Sequence, residues 1–365
     1  MLKSTMLFSF LVLICNFANG YTDTPFDEDL KMGKHFHFLV KDHYLSDKYS
    51  KEIQYQIDYT RWLPDHGNGH TIVYLHGLQS HRGWFYSTAE ILRKMGYTLY
   101  AFDRAGSGTS QSALAQNGWP FGLEDIFTFL PGVTLEPKRS HAASYALHLD
   151  TINKMLDIVE EEDATSKIHL WGNSYAAKIV SRFLQNTENA TRVTSSIFTT
   201  PGLYRNNTSM PLPFSKFDLI AGYNSDSFPS PVTNINGDNG ASWFTSMANW
   251  SQKIKNDPLS NRTMTREMAL QTRKMDEDVE RDTQALNGIK RFYLMVNGDS
   301  MMDNDRIVEA IKSAPTGAIY KFYSGGDDHK HFLTFTVDRD QALQDIHRFL
   351  IPGATNITRA ITYEN

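Results

Sequence analysis

The chain has 365 residues, with 36 Lys+Arg against 41 Asp+Glu and a formal net charge of −5. Its 22 Phe, 17 Tyr and 6 Trp can fill a large core, which excludes a mostly disordered chain. An acidic balance without a basic stripe argues against nucleic-acid binding through bulk electrostatics.

Lys3 supplies a short positive start, and Met6 to Cys15 form an apolar run too short to span a bilayer. Ala18-Asn19-Gly20 places small residues at the −3 and −1 positions of a cleavage site. Residues 1–20 therefore read as a secretory signal peptide cleaved near Gly20, with a secreted or periplasmic destination. Cys15 is the sole cysteine, so the mature chain is expected to carry no disulfide and no thiol nucleophile. No later stretch reaches 18 apolar residues. Six N-x-[ST] sequons occur, at Asn189, Asn206, Asn207, Asn249, Asn261 and Asn356.

Residues 35–62 hold two strand-like stretches, an antiparallel start. Strand-like runs then alternate with helical patterns. The runs are Thr71 to Tyr74, Tyr97 to Phe102, Lys167 to Trp171, Ser195 to Phe198, Arg291 to Val296 and Ala318 to Tyr323, each closed by turn residues. Helices are expected at Ala89 to Met95, Ala143 to Val159, Tyr175 to Leu184, Arg306 to Ile311 and Gln341 to Leu350. This alternation predicts an α/β domain with a mostly parallel sheet. The run Glu160 to Asp163 reads as a solvated helix-to-strand connection. Residues 203–290 break the rhythm, with helical patterns near 243–256 and 264–286. They read as a cap inserted between two strands, at the sheet edge where such folds bind ligands. The chain thus divides into a core of 21–202 and 291–365 and a cap of 203–290.

Gly172-Asn173-Ser174-Tyr175-Ala176 lies between an apolar strand and a helix, the context of a nucleophile elbow. The turn is sharp, so the residues two places from the serine on each side must be small. A serine nucleophile needs a base and an orienting carboxylate, here expected after later strands. Asp299 follows the strand at 291–296, and His329 follows the strand at 318–323. Their rivals are Asp303 and His331, and nearness to the strand end favours Asp299 and His329. His76-Gly77-Leu78-Gln79 follows the first parallel strand, and the backbone N–H groups of Leu78 and Tyr175 are the expected oxyanion donors. Trp84, Phe85, Tyr86 and Trp119-Pro120-Phe121 either line an acyl-chain pocket or belong to the core.

These segments resemble the α/β-hydrolase superfamily. Within it, the chain is similar to the monoacylglycerol lipase and lysophospholipase branch, which includes proteins named as serine aminopeptidase-like. The resemblance rests on LHGLQSHRGWF at 75–85, AFDRAGSGTS at 101–110 and LWGNSYAA at 170–177. Asp103 to Ser110 resembles the branch's D-x-R-G-x-G-x-S segment, with Ala105 where arginine is usual. Phe244 to Met275 resembles its cap, and the spacing from His329 to Arg339-Asp340 and Leu343 suits the branch better than spacing from His331.

The resemblance implies a mostly parallel eight-stranded sheet flanked by helices, with a largely helical cap. It also implies a serine hydrolase acting on carboxylic esters of lipids, of monoacylglycerol or lysophospholipid type. Ser174, Asp299 and His329 would be catalytic. No cofactor or metal is called for, and an apolar cap surface would allow transient contact with membranes or micelles. Two other classes compete: an exopeptidase or amidase of the same fold, with Asp276, Glu277, Asp278 and Glu280 as candidate amine ligands, and an inactive binding protein. The histidine pairs His35-x-His37 and His329-x-His331 lack a third ligand at a recognisable spacing.

Overall fold

The computed structural model describes residues 24–49, 54–110, 142, 144–206, 227–229, 238, 240–281, 288–313, 317–326 and 330–351. The signal-peptide segment, Trp119 to Phe121, His329, Asn207 and Asn356 lie outside these residues.

In chain order the strands are β1 (Lys34–Lys41), β2 (Gln54–Trp62), β3 (His70–Leu75), β4 (Thr98–Phe102), β5 (Lys167–Asn173), β6 (Ser195–Thr199), β7 (Ser227–Pro229), β8 (Thr263–Thr265), β9 (Lys290–Val296) and β10 (Ala318–Tyr323). The helices are α1 (His43–Tyr49), α2 (Tyr86–Lys94), α3 (Ala146–Glu162), α4 (Ala176–Leu184), α5 (Thr187–Thr191), α6 (Ala241–Phe244), α7 (Ala248–Asn256), α8 (Arg266–Arg281), α9 (Asn304–Ser313) and α10 (Arg339–Leu350).

Eight strands form one sheet in the order β1-β2-β4-β3-β5-β6-β9-β10. β2 runs antiparallel to both β1 and β4, and every later pair is parallel. The central strand β3 is buried at all six positions, as a strand covered on both faces must be. Its side chains alternate between two cores. Val73 and Leu75 join Leu170, Ile152 and Ile179 on one face, while Ile72 and Tyr74 join Phe85, Trp171 and Ile346 on the other. Parallel strands align their carboxyl ends. The register pairs Leu75 with Gly172 and Asn173 with Thr199, so the loops after β3, β5 and β6 emerge side by side.

Helix ends differ from expectation where local turns feed them. α2 begins three residues early because the 3-10 turn Arg82–Phe85 runs into it. The helical pattern near 243–256 is two helices. Thr245 breaks it by donating its hydroxyl to the Phe335 carbonyl (2.7 Å) and accepting from the Met247 amide (3.0 Å). The acidic run at 160–163 is more than a solvated connection. Glu162 ends α3 and accepts from the Tyr100 hydroxyl (2.6 Å) beside Arg61 (2.5 Å), and Glu160 pairs with Arg192 (2.8 Å). Trp84, Phe85 and Tyr86 are core residues: all three are buried, with Phe85 stacked on Tyr74 and Trp84 packed edge-on to Phe244 and Phe332. Phe26, near the start of the described chain, lies fully buried against Trp84, Trp250 and Phe335.

Several histidines are buried without a cationic role. His169 meets His70 (2.8 Å) on one ring nitrogen and Ser195 (2.8 Å) on the other. Among the described residues, neither ring nitrogen of His148 on α3 finds a hydrogen-bond partner. Burial holds both His148 and His169 down at about 3, against the ordinary 6.5. The unfolded chain therefore binds protons that the folded chain refuses between pH 6.5 and about 3. Stability from these groups is complete above pH 6.5 and is lost as pH falls through that window. Each contributes a slope of up to about 1.4 kcal/mol per pH unit. We expect the urea midpoint to fall steadily from pH 7 to pH 5, and His148→Leu to flatten the slope. A midpoint indifferent to pH over that range would show that these imidazoles are charged in the fold.

Candidate active site

The site is assembled from four strand ends. Ser174 directly follows β5 and has φ +49°, a left-handed conformation that a non-glycine residue holds only when its surroundings force it. The Ser174 amide donates to the Thr199 carbonyl (2.9 Å), and the Ser174 carbonyl accepts from Ala177 and Gly202 (both 2.9 Å). Small flanking residues make the bend fit. A Cβ at Gly172 would lie 2.8 Å from the Ala176 carbonyl oxygen and 3.0 Å from the Ala177 Cα, both backbone atoms that cannot yield. Ala176 is fully buried, so its methyl fits where the elbow pattern usually has glycine.

The Ser174 hydroxyl lies 2.7 Å from Nε2 of His331, whose Nδ1 lies 2.6 Å from Oδ2 of Asp299. His331 and Asp299 are 1% and 6% exposed, so this chain of bonds is shielded from water. The histidine joined to Ser174 and Asp299 is thus His331, which corrects the expectation of His329. The reason is the course of the loop after β10. Gly325 and Gly326 have φ of +70° and +82°, and the Lys330 amide returns to the Gly325 carbonyl (2.9 Å). The loop doubles back, so distance along the chain from the strand end does not measure reach. The next two amides, of His331 and Phe332, then donate to the carbonyls of Trp243 (2.9 Å) and Phe244 (3.1 Å), fixing the ring over Ser174.

Asp299 also accepts from the Met301 amide (2.9 Å), which fixes its carboxylate. Its rival Asp303 is occupied elsewhere: it accepts from the Arg306 amide (3.1 Å) and caps α9.

Leu78 and Tyr175, the expected amide donors, line one pocket with Ser174. Beneath them sits Arg104, which the motif reading passed over. Its buried guanidinium donates to the carbonyls of His76 (3.3 Å), Gly77 (2.8 Å) and Leu78 (3.1 Å), and lies 5.0 Å over the Tyr175 ring. Its amide donates to Nε2 of His76 (3.0 Å). Burial drives His76 well below its ordinary value, so it is neutral, and lowers Arg104 to about 10. Arg104 stands one place before Ala105, and that displacement of the usual arginine was the available sequence signal. The same segment is anchored by Asp103, buried with Arg82 and accepting from the amides of Arg82 (2.7 Å) and Thr109 (2.9 Å).

The described residues between β6 and β9 meet this floor in the segment after α7. Asp257 accepts from Trp84 (2.9 Å), Ser260 (2.7 Å) and the Leu259 amide (3.0 Å), and meets His81 (2.9 Å). His81, Trp84 and Ser260 hold its carboxyl at about 2 against the opposing effect of burial. Asn261 donates its amide to the Gln79 carbonyl (2.8 Å) and its side chain to Ser107 (2.8 Å). Asn261 is 2% exposed, so its sequon is closed to modification in the folded chain, whereas Asn249 is exposed. The pocket is walled by Phe244, Met264, Met301, Met302 and Phe332, with Lys178, Arg205 and Thr272 as polar members. Among the described residues no group of three His, Cys, Asp or Glu side chains could hold a metal ion.

A serine at an elbow, a buried histidine–carboxylate pair and a neighbouring amide loop, set on this sheet, define an α/β-hydrolase. The chain belongs to the family described as serine aminopeptidase, S33, whose model matches residues 68–331. Solved structures share the fold. A monoacylglycerol lipase from Paleococcus ferrophilus is similar at 14% identity and a TM-score of 0.61, covering 80% of this chain and 97% of its own. A soluble variant of monoglyceride lipase from Saccharomyces cerevisiae, in complex with a substrate analogue, is similar at 13% identity and 0.62, covering 86% and 96%. A carboxyl esterase from Bacillus coagulans, in complex with glycerol, is similar at 13% identity and 0.64, covering 88% and 98%. No curated protein matches the sequence.

Proposed function

We propose that the protein is an exported serine hydrolase that cleaves carboxylic esters of lipids through an acyl-enzyme. The observation that carries this reading is the unbroken Ser174–His331–Asp299 chain opening onto a largely apolar pocket. Ser174 Oγ attacks the ester carbonyl while His331 Nε2 takes its proton. The alkoxide that forms is held by the amides of Leu78 and Tyr175. His331 returns the proton to the leaving alcohol, and Asp299 keeps the imidazole oriented and stabilises its charged form. Water, deprotonated by His331, then releases the acid and restores Ser174. Export is supported by the Lys3 start, the apolar Met6 to Cys15 run and the small residues before Tyr21.

One observation weighs against an exopeptidase. Asp276, one of the candidate amine ligands, is engaged by Lys178 and Arg205, which line the pocket, so that part of the wall presents cations rather than a site for a substrate amine. The reading is tested with p-nitrophenyl esters from acetate to palmitate and with a fluorophosphonate label. The expected result is turnover that rises toward medium or long acyl chains, and labelling of Ser174. No turnover and no labelling would sink the hydrolase and favour a binding role.

A further inference from the structure

The proposed mechanism leaves the two cations of the pocket wall without a task. Lys178 lies one helical turn beyond Ser174 on α4 and is 2% exposed. Arg205 follows the strand-end segment after β6. Both face the pocket, and both are paired to one carboxylate, Asp276 on α8. Of the neighbouring acids, Glu280 meets Arg306 at 2.8 Å and acts on Lys178 only through its charge, and Asp278 takes the Tyr145 hydroxyl. Among the described residues, the wall thus sets two cations against one carboxylate paired directly to them.

An excess cation at a mostly apolar, half-closed surface is costly unless an anion completes it. The Arg205 contact also leaves room. Nη2 stands 3.4 Å from Asp276, where a charge-assisted bond usually closes to about 2.7–2.9 Å. A guanidinium held so loosely can turn its fork to a better acceptor. The cluster adjoins the reacting centre. Lys178 Nζ lies 5.8 Å from the centre of the Tyr175 ring, and the Tyr175 hydroxyl meets Thr272 (3.3 Å), a third polar group of the same wall. Much of the remaining lining is apolar, with Phe244 packed on His331, both Phe244 and Phe332 on Trp84, and Met302 beside Arg205. The pocket thus joins two cations to an otherwise mostly apolar lining beside Ser174.

We infer that this site selects esters carrying an anionic group, a carboxylate or a phosphate, which Arg205 and Lys178 bind while the ester carbonyl rests at Ser174. This inference rests on the hydrolase reading and names its substrate class. The anion has two sources: the acyl part, as in a half-ester of a dicarboxylic acid, or the alcohol part, as in a lysophospholipid phosphate.

Two matched pairs separate these sources. Mono-p-nitrophenyl glutarate against p-nitrophenyl butyrate places the charge on the acyl side. 1-Oleoyl-lysophosphatidate against monooleoylglycerol places it on the alcohol side. For the wild type, kcat/KM is expected to favour the anionic member of one pair by roughly tenfold or more, and added salt to erode that preference. Arg205→Gln is expected to cut the anionic-to-neutral ratio by about tenfold, with partial recovery in Arg205→Lys. Fluorophosphonate labelling reports whether each variant still folds, and the wild-type ratio needs no variant. Neutral esters turned over as well as anionic ones in both pairs would overturn the inference and leave the hydrolase standing. No turnover of any of the four, with no labelling, would overturn both.

Discussion

His331→Ala is expected to lower kcat/KM for a p-nitrophenyl ester by about 10⁴–10⁶-fold, as is Ser174→Ala, while His329→Ala stays within a few-fold of the wild type. The argument is geometric. His331 touches the hydroxyl and the carboxylate at once, at 2.7 and 2.6 Å. Losing the imidazole removes both the proton acceptor of the attack and the proton donor to the leaving alcohol. Such residues act as a unit, so the double variant should cost little more than either single one. The reverse pattern, with His329→Ala inert and His331→Ala active, would mean that the loop after β10 takes another course in solution. Labelling by a fluorophosphonate should likewise vanish in Ser174→Ala and slow sharply in His331→Ala.

Arg104→Met should lower kcat by about 10²–10³-fold, the range for losing one oxyanion donor, with a much smaller change in KM. Arg104 is not itself among the residues that line the pocket but lies behind them. Its guanidinium binds three consecutive carbonyls of the loop that carries the Leu78 amide, and it lies over the ring of Tyr175, the other expected donor. Pinning the carbonyls on one side of the loop directs the opposed amides toward the developing alkoxide. Methionine fills the space but leaves those carbonyls without their donor, at about 1–3 kcal/mol for each one stranded. Arg104→Lys should rescue poorly, because an ammonium cannot span the three acceptors as a planar fork does. A purely structural role would lower the melting temperature and leave the kcat of the folded fraction intact, and that result would refute positioning.

The sequence determined the sheet, the elbow and the acid. Short apolar runs closed by turn residues mark parallel strands because a strand buried on both faces has no other sequence option, as His70–Leu75 shows. Gly172 and Ala176 flanking Ser174 were readable because the sharp turn admits only small residues there, and the structure places backbone atoms within 3.0 Å of the space that a Gly172 side chain would need. Asp299 was readable because it sits at the strand end, with only the Asn297-Gly298 turn between. Other assignments needed coordinates. His331 was missed because two glycines fold its loop back, so the nearer histidine in sequence is not the one delivered to Ser174. Trp84 to Tyr86 could not be divided between pocket and core, since periodicity does not reveal which core a side chain enters. Arg104 and Asp257 act across 26 to 173 residues of separation, through backbone carbonyls and an indole that no local pattern announces. Local propensity and the size limits of tight turns are properties of neighbouring residues, and one chain displays them. Which histidine closes the relay, which cation braces the amide loop and where charge gathers in the pocket depend on contacts between distant segments, and only the packed fold brings those segments together.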